Sequence, residues 1–334
     1  MLTSLGPADC IPTYHRKCYK DVIVPPGKDK QMLSPCIPTV TKNIHVVIVY
    51  NPSLINAIKR LKILEREMNL SNLSFSKHIT LPELYGCHKS ISHICIVGGD
   101  GTINKVINDA LVDLNGSLKT MPILSIFPAG TNNSVARAIG SDSVDVKTFV
   151  NSFKEGMVNQ MDVGRIKNIY TDRCFISSLG WGRPVTNSIS IRESRGTHHI
   201  SKAKYWLHRF FNMFKYKNVS VYFDSVVDGI NISGNFTEVT LNILRHMECL
   251  NWSPTSYADD GIMELIRVEN ANNRFYRDAK TGIHIYKNNI MVIRCKKLLL
   301  NSSILVVADG NLLNLTNPLE ISVNHKEIRC VTFV

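Results

Sequence analysis

The sequence predicts an α/β domain followed by an all-β domain, and three observations carry that prediction. Apolar, β-branched runs alternate with segments of helical period up to about residue 160, the pattern of a parallel sheet covered by helices. Two of those runs end directly in small-residue turns that open helices. After about Gln160 the texture changes to short strand-like runs separated by Gly, Asn, Asp and Pro clusters, as in an antiparallel sandwich.

Taken in order, residues 1–43 carry several prolines and no clear period, which predicts a poorly ordered lead-in. Residues 44–50 (IHVVIVY) form a continuous apolar strand suited to the middle of a parallel sheet. Asn51, Pro52 and Ser53 close it. Residues 54–68 place Leu54, Ile55, Ile58, Leu61 and Leu64 on one side and Lys59, Arg60, Lys62, Glu65 and Arg66 on the other, an amphipathic helix. A short strand over 75–79 and a stunted connection over 81–89 follow. Residues 94–97 (ICIV) and 122–127 (PILSIF) are two more buried strands, and 145–155 is a further helix. The second half offers strands over 174–178, 219–223, 238–244, 261–268, 290–295, 304–307 and 319–323, interrupted by one helical insert over about 200–216.

The first strand–turn–helix unit is the centre of the chain. The strand Ile94-Cys95-Ile96-Val97 runs into Gly98-Gly99-Asp100-Gly101-Thr102, then into a helix whose apolar residues Ile103, Val106, Ile107, Ala110 and Leu111 recur at helical spacing. Glycines there let backbone N–H groups approach a ligand closely. The helix start that follows is an anion site, because its first N–H groups are unpaired and lie at the positive end of the dipole. Phosphate is the expected anion. Asp100 in the middle of the turn would repel phosphate unless it holds a metal or accepts a proton, and that conflict hints at catalysis. The spacing is neither of the two common nucleotide fingerprints. The second unit ends its strand in Pro128-Ala129-Gly130-Thr131-Asn132-Asn133-Ser134, where Thr131 and Asn133 can donate to phosphate or cap the next helix.

Bulk properties narrow the partners. The chain has 334 residues and a formal net charge of +12, which suits an anionic partner such as nucleotide or acidic lipid. No apolar run approaches membrane-spanning length, and no secretory signal is expected at the N-terminus. Nine scattered cysteines without a CxxC pair predict reduced thiols in a cytoplasmic setting rather than zinc or disulfides. Residues 191–217 mix Arg192, Arg195, Lys202, Lys204, Arg209, Lys215 and Lys217 with aromatics, which suits a peripheral membrane surface or a helix packed on the β-domain. No nucleic-acid motif accompanies it, so nucleic acid is not an expected partner. The oligomeric state is not legible.

Together the turns resemble the diacylglycerol kinase catalytic-domain superfamily, which also holds sphingosine and ceramide kinases. The resemblance rests on Asn51-Pro52, on the complete GGDGT of Gly98 to Thr102, and on Pro128, Gly130, Thr131, Asn133, Ala136 and Arg137 in the pattern P-x-G-T-x-N-x-x-A-R. Met161-Asp162-Val163, the PTSYADDGI of 254–262, and Asp309-Gly310-Asn311 follow in family order, so the likeness spans roughly 44–334. It implies a parallel nucleotide-binding domain over 44–160, a β-sandwich lipid-substrate domain over 161–334, and transfer of the ATP γ-phosphoryl group, with Mg²⁺, to a lipid hydroxyl. It also implies roles. Gly98, Gly99, Gly101 and Thr102 cradle phosphate, helped by Gly130 and Thr131. Asn51 and Asn133 line the nucleotide pocket, and Asp100 is the base or metal-organising acid. Asp309 is either a hairpin residue or part of the nucleotide site, and Asp259 and Asp260 either face solvent or serve the substrate cleft. Arg137 either reaches phosphate or lies on a helix surface.

The chain departs from the family pattern in several places. The glycine after Asn51-Pro52 is missing, Lys105 replaces the glutamate of N-E-V, and Asn311 replaces the glutamate of D-G-E. Asn132, Asn133 and Ser134 stand where many members have G-N-D. Around Gly180-Trp181-Gly182 the chain resembles sphingosine kinases, yet 184–190 carries none of the acids that would meet a sphingoid amine. Diacylglycerol, ceramide or a similar neutral lipid remains. Two alternatives stay open: a non-catalytic lipid- or nucleotide-binding pseudokinase, and an NAD kinase, which shares the GGDGT turn but not the P-x-G-T-x-N-x-x-A-R motif.

Overall fold

A computed structural model describes residues 37–38, 44–82, 91–195, 220–244, 257–268, 275–277, 284–286, 290–301, 304–316 and 318–333. The expected lead-in, apart from 37–38, and the expected helical insert at 200–216 lie outside the described residues.

The first half alternates strand and helix: β1 (His45–Tyr50), α1 (Ile55–Leu70), β2 (Ser74–His78), β3 (His93–Gly98), α2 (Asp100–Asp113), β4 (Ile123–Pro128), α3 (Ser134–Ala138) and α4 (Val146–Glu155). The strands β2, β1, β3 and β4 lie side by side in that order, all parallel. All six residues of β3 and of β4 are buried. That is why these runs are continuously apolar rather than alternating. Their two faces feed two cores. Val46, Ile48, Cys95, Val97 and Phe127 pack under α1 and α4, against Ala57, Leu61, Leu64, Phe149 and Phe153. Val47, Ile94, Ile96 and Ile126 pack against α2 through Ile103, Val106, Ile107 and Ala110. Asp145 caps α4 by accepting from the Thr148 N–H (2.9 Å).

The second half begins with a long strand that the sequence pattern did not mark, β5 (Met157–Lys167), followed by β6 (Asp172–Phe175), β7 (Ser178–Gly182) and α5 (Arg183–Arg195). Next come β8 (Val221–Val227), β9 (Ile230–Phe236), β10 (Glu238–Asn242), β11 (Met263–Val268), β12 (Ile290–Cys295), β13 (Lys297–Leu300), β14 (Ile304–Ala308), β15 (Asn311–Leu315) and β16 (Leu319–Thr332). The strand expected over 174–178 is broken at Ile176 and Ser177, whose N–H groups turn inward to the Asp309 carboxylate. The strand expected to stop at Val323 runs on to Thr332. Residues 324–327, which look like a turn, form a bulge in which Lys326 takes φ 52°.

Two sheets result. One is the antiparallel six-stranded series β12-β11-β10-β7-β14-β15. In the other, β16 joins the parallel strands to the antiparallel ones: Cys330 pairs in parallel with Leu124 of β4, while β5 and β13 pair antiparallel with β16. The sheets face one another through Trp181 of β7, set edge-on to Phe223 of β8 at 5.6 Å, and Phe223 meets Phe236 at 6.3 Å. This is the predicted combination of a parallel α/β sheet and a separate antiparallel sheet. Cys95, Cys174, Cys295 and Cys330 are free thiols buried in these cores, and burial raises the Cys174, Cys295 and Cys330 thiols to about 12. Among the described residues no helix is long and apolar enough to cross a membrane.

Candidate active site

Adjacent parallel strands bring three turns to one edge. Tyr50 is in register with Val97, and Gly98 with Pro128. The segments after β1, β3 and β4 therefore share the carboxyl edge of the sheet, where open α/β sheets receive ligands. The two small-residue turns touch. A Cβ on Gly99 would lie 2.9 Å from the Gly130 Cα, and one on Gly130 would strike the Gly99 backbone. Only glycine at both positions allows that approach. The Ala129 N–H donates to the Gly98 carbonyl at 2.8 Å and locks the turns in place.

Asp100 is the first residue of α2, yet its carboxylate serves the other turn. Its Oδ2 accepts from the Ser134 N–H and its Oδ1 from the Val135 N–H, both at 3.0 Å. It therefore caps α3 from the neighbouring turn. Burial pushes its pKa up; the Ser134 and Val135 N–H groups and the Arg137 charge oppose that rise. The start of α2 has Gly99 as its N-cap residue and no side-chain cap, so the positive end of the helix faces the sheet edge.

The predicted phosphate cradle needs one amendment. The Thr102 N–H donates to the Gly99 carbonyl (2.9 Å) and is occupied by the first turn of the helix. The Thr102 side chain packs on Gly98, where an added Cβ would lie 2.6 Å from the Thr102 Cβ. In the second turn Asn133 adopts φ 52° and forms a closed ring: its Oδ1 accepts from the Gly130 N–H (2.8 Å) and its Nδ2 donates to the Gly130 carbonyl (3.1 Å). It shapes the turn. Half-buried Thr131 lies between these two residues. The Asn51 Oδ1 accepts from the Ser53 N–H (3.0 Å) and closes the turn after β1. Arg137 donates from Nη2 to the Asn132 carbonyl (2.9 Å) and pairs with Asp142 at 3.6 Å, so it braces the second turn.

The β14–β15 hairpin covers the first turn from the other sheet. Asp309 and Gly310 make its two-residue loop with φ 47° and 85°, as a type I′ turn requires. A Cβ on Gly101 would be in ordinary contact with the Asn311 amide and the Asp309 carbonyl, at 3.8–3.9 Å. The Asp309 carboxylate is buried and fully engaged. It accepts from the N–H groups of Ile176 (2.7 Å), Ser177 (2.8 Å) and Ser178 (3.0 Å), and from the Asn104 Nδ2 (2.9 Å). Burial raises its pKa to about 6 against those bonds. Asp309 is thus a hairpin residue whose loop stands over the glycine turn.

Sequence reasoning assigned no role to Asn104 and Asn108, which dock α2 on β6. The Cys174 N–H donates to the Asn108 Oδ1 (2.8 Å), and the Cys174 carbonyl accepts from Asn104 (2.9 Å) and Asn108 (3.0 Å). A pair of amides four residues apart on an otherwise apolar helix face was the available signal.

The structure does not bring Asp259 and Asp260 to this turn. Asp260 pairs with Arg294 (2.7 Å) and accepts from the Ile262 N–H. Their loop is latched by buried Asp162, which accepts from the N–H groups of Gly261 (2.6 Å) and Lys326 (2.7 Å) and meets His325 Nδ1 (2.9 Å). Lys326 precedes Cys330, the residue paired with Leu124 near the start of β4. The latch therefore lies toward the amino ends of the parallel strands, opposite the glycine turn.

Residues 57–166 match the family model described as the diacylglycerol kinase catalytic domain. That match, over about a third of the chain, is to the same superfamily that the sequence motifs resemble. Among similar proteins, the diacylglycerol kinase of Bacillus subtilis is 27% identical over 217 residues, covering 63% of this chain and 67% of that protein. That of Staphylococcus saprophyticus is 30% identical over 178 residues, or 52% of this chain and 53% of that one. A crystal structure of a diacylglycerol kinase from Bacillus anthracis superimposes with a TM-score of 0.59 at 15% identity, over 88% of this chain and 98% of that chain. At that identity the superposition speaks for the fold. Among the departures from the superfamily pattern, Lys105 points to solvent and pairs with Asp109 at 2.5 Å. Asn311 lies over Gly101, within the site.

Proposed function

We propose that this protein is an ATP-dependent lipid kinase of the diacylglycerol kinase superfamily, with nucleotide phosphates on the uncapped start of α2 and the lipid hydroxyl presented from the antiparallel half. The contact of Gly99 with Gly130 carries this reading, because it opens two backbone turns onto one edge while Asp100 ties them together. Phosphoryl transfer is mainly positioning and charge neutralisation. The α2 dipole and the N–H groups at Gly99 to Gly101 would supply the first anion contacts, Thr131 would meet the phosphate from the second turn, and Asn51 would border the nucleotide. Asp100 would take the acceptor proton as a base, its pKa raised toward that task by burial. Among the described residues no cluster of three or more His, Cys, Asp or Glu side chains could hold a metal ion. Mg²⁺ commonly uses one or two protein oxygens plus phosphates and waters, and Asp100 with the Asn311 amide oxygen suits such a sparse set. Bound there, the ion would neutralise phosphate charge.

The test is transfer of labelled γ-phosphate from ATP to a panel of diacylglycerol, ceramide and related neutral lipids. A labelled lipid product supports the reading, and ATP binding without transfer to any lipid refutes it. One observation favours a second reading, a nucleotide-binding protein without turnover: both Asp100 oxygens are already occupied by α3 N–H groups, and Asn311 supplies no charge. Calorimetry with ATP beside the same panel separates the two.

A further inference from the structure

The β5–β6 hairpin ends in two neighbouring, largely exposed apolar side chains. Ile169 is 86% exposed and Tyr170 81%. Single exposed apolar residues are ordinary, but an aliphatic and an aromatic residue together at a loop tip call for a partner. The tip is also rigid. Asn168 Oδ1 accepts from the N–H groups of Tyr170 (2.8 Å) and Thr171 (2.6 Å), the Asn168 N–H donates to the Thr171 carbonyl (2.8 Å), and Asn168 Nδ2 donates to the Thr316 carbonyl (2.7 Å). At its base Arg165 holds Asp172 through two bonds, at 2.5 and 2.6 Å, and donates to the Gly116 carbonyl. Little order need be gained on binding.

These bonds have a second consequence. The backbone N–H groups of Tyr170 and Thr171 are satisfied by the side chain of Asn168, so moving the tip out of water does not orphan them. The charges around it favour an anionic surface. Arg165 and Asp172 neutralise one another, and Glu320, in register with Lys167, is engaged by Lys297 at 2.6 Å. Lys167 and Arg173 remain exposed on either side of the tip.

We propose that Ile169 and Tyr170 insert into the interfacial layer of an acidic phospholipid bilayer, with Lys167 and Arg173 on the headgroups. Two side chains are too little area for a stable protein interface. An amphipathic aromatic beside an aliphatic residue and basic neighbours is what an interfacial anchor uses. The inference rests on the lipid-kinase reading only for why the protein should visit a membrane; the anchor itself needs neither ATP nor a lipid substrate.

The test is co-sedimentation of the full chain with phosphatidylcholine vesicles, with and without phosphatidylglycerol, in the absence of nucleotide. The wild type should bind the acidic vesicles, and the Ile169→Ser/Tyr170→Ser variant should bind them at least about tenfold more weakly. The Lys167→Gln/Arg173→Gln variant should lose the preference for acidic lipid. The variant Tyr170→Trp, in its difference spectrum from wild type, should shift to the blue on vesicles and be quenched by brominated acyl chains. Undiminished binding by the double serine variant, or no quenching, overturns the proposal. So does a change in the oligomeric state of that variant in place of a change in vesicle binding. Transfer to a soluble short-chain diacylglycerol should be unchanged in the double serine variant, and transfer to vesicle-borne diacylglycerol reduced. Failure of the wild type on every lipid of the panel would refute the kinase reading while leaving the vesicle binding to decide the anchor.

Discussion

Replacing Asp309 with asparagine tests how the two sheets are joined above the glycine turn. Asp309 accepts three backbone N–H groups and the Asn104 amide. Asparagine keeps one acceptor oxygen and turns an NH₂ group toward donors. At least one buried donor loses its partner, at about 1–3 kcal/mol each. Relief of a buried charge offsets part of that near neutral pH, so the net loss at pH 7.5 should be about 2 kcal/mol. The pH dependence is sharper. Burial raises the Asp309 pKa from 3.8 to about 6 in the folded state. A raised folded pKa means the protonated group favours folding, fully so below the unfolded value, and that contribution is lost as pH rises to about 6. The shift corresponds to about 3 kcal/mol. In urea melts, the stability gap between wild type and Asp309→Asn should therefore widen by about 3 kcal/mol as pH falls from 7 toward 4. A gap that stays constant across that range, or a variant as stable as wild type at pH 7.5, would refute the assignment.

His93 should show the opposite sign. Burial, with the nearby Arg329 charge, lowers its pKa from 6.5 to about 4, so folding is penalised as pH falls from about 6.5 to 4, by about 3 kcal/mol. His93→Phe should flatten the acid limb of the urea-melt stability profile relative to wild type, despite the added bulk. Gly130→Ala should push the two turns apart, because its Cβ would meet the Gly99 backbone; calorimetry should show at least about tenfold weaker ATP binding. Asp162→Ala leaves the Gly261 and Lys326 N–H groups without their acceptor. It should cost about 2–4 kcal/mol in urea melts while leaving nucleotide affinity within about twofold, since the latch lies at the far end of the strands.

The parallel half was legible because burial on both faces writes itself as uninterrupted apolar runs such as 94–97 and 44–50. The two turns stood out for the same reason: close backbone approach demands Gly99 and Gly130, and glycines at a strand end are visible in a sequence. What stayed hidden depends on buried polar groups, whose partners are distant in the chain. The strand β5 carries buried Asn159 and Asp162, which break the apolar pattern. Residues 324–327 look like a turn until Asp162 supplies the acceptor that makes them a bulge. Helix α5 has Pro184 at an early position that suits a helix start, but its Ser- and Thr-rich body lacks an apolar stripe. In the candidate site, Asp100 stood out by its place in the turn, yet its partners Ser134 and Val135 were not foreseeable from spacing. Asp259 and Asp260 were left between solvent and the substrate cleft, because motif order says nothing about which end of a strand a loop occupies.

The central claim is that the edge shared by Gly99, Asp100 and Gly130 transfers phosphate to a lipid. It is tested most directly by incubating wild type and Asp100→Asn with γ-labelled ATP, Mg²⁺ and diacylglycerol, after melts confirm that both are folded. Labelled lipid from the wild type, reduced at least about hundredfold in the variant, is the predicted result. Equal labelling by the two proteins, or none by the wild type with any lipid of the panel, would contradict it.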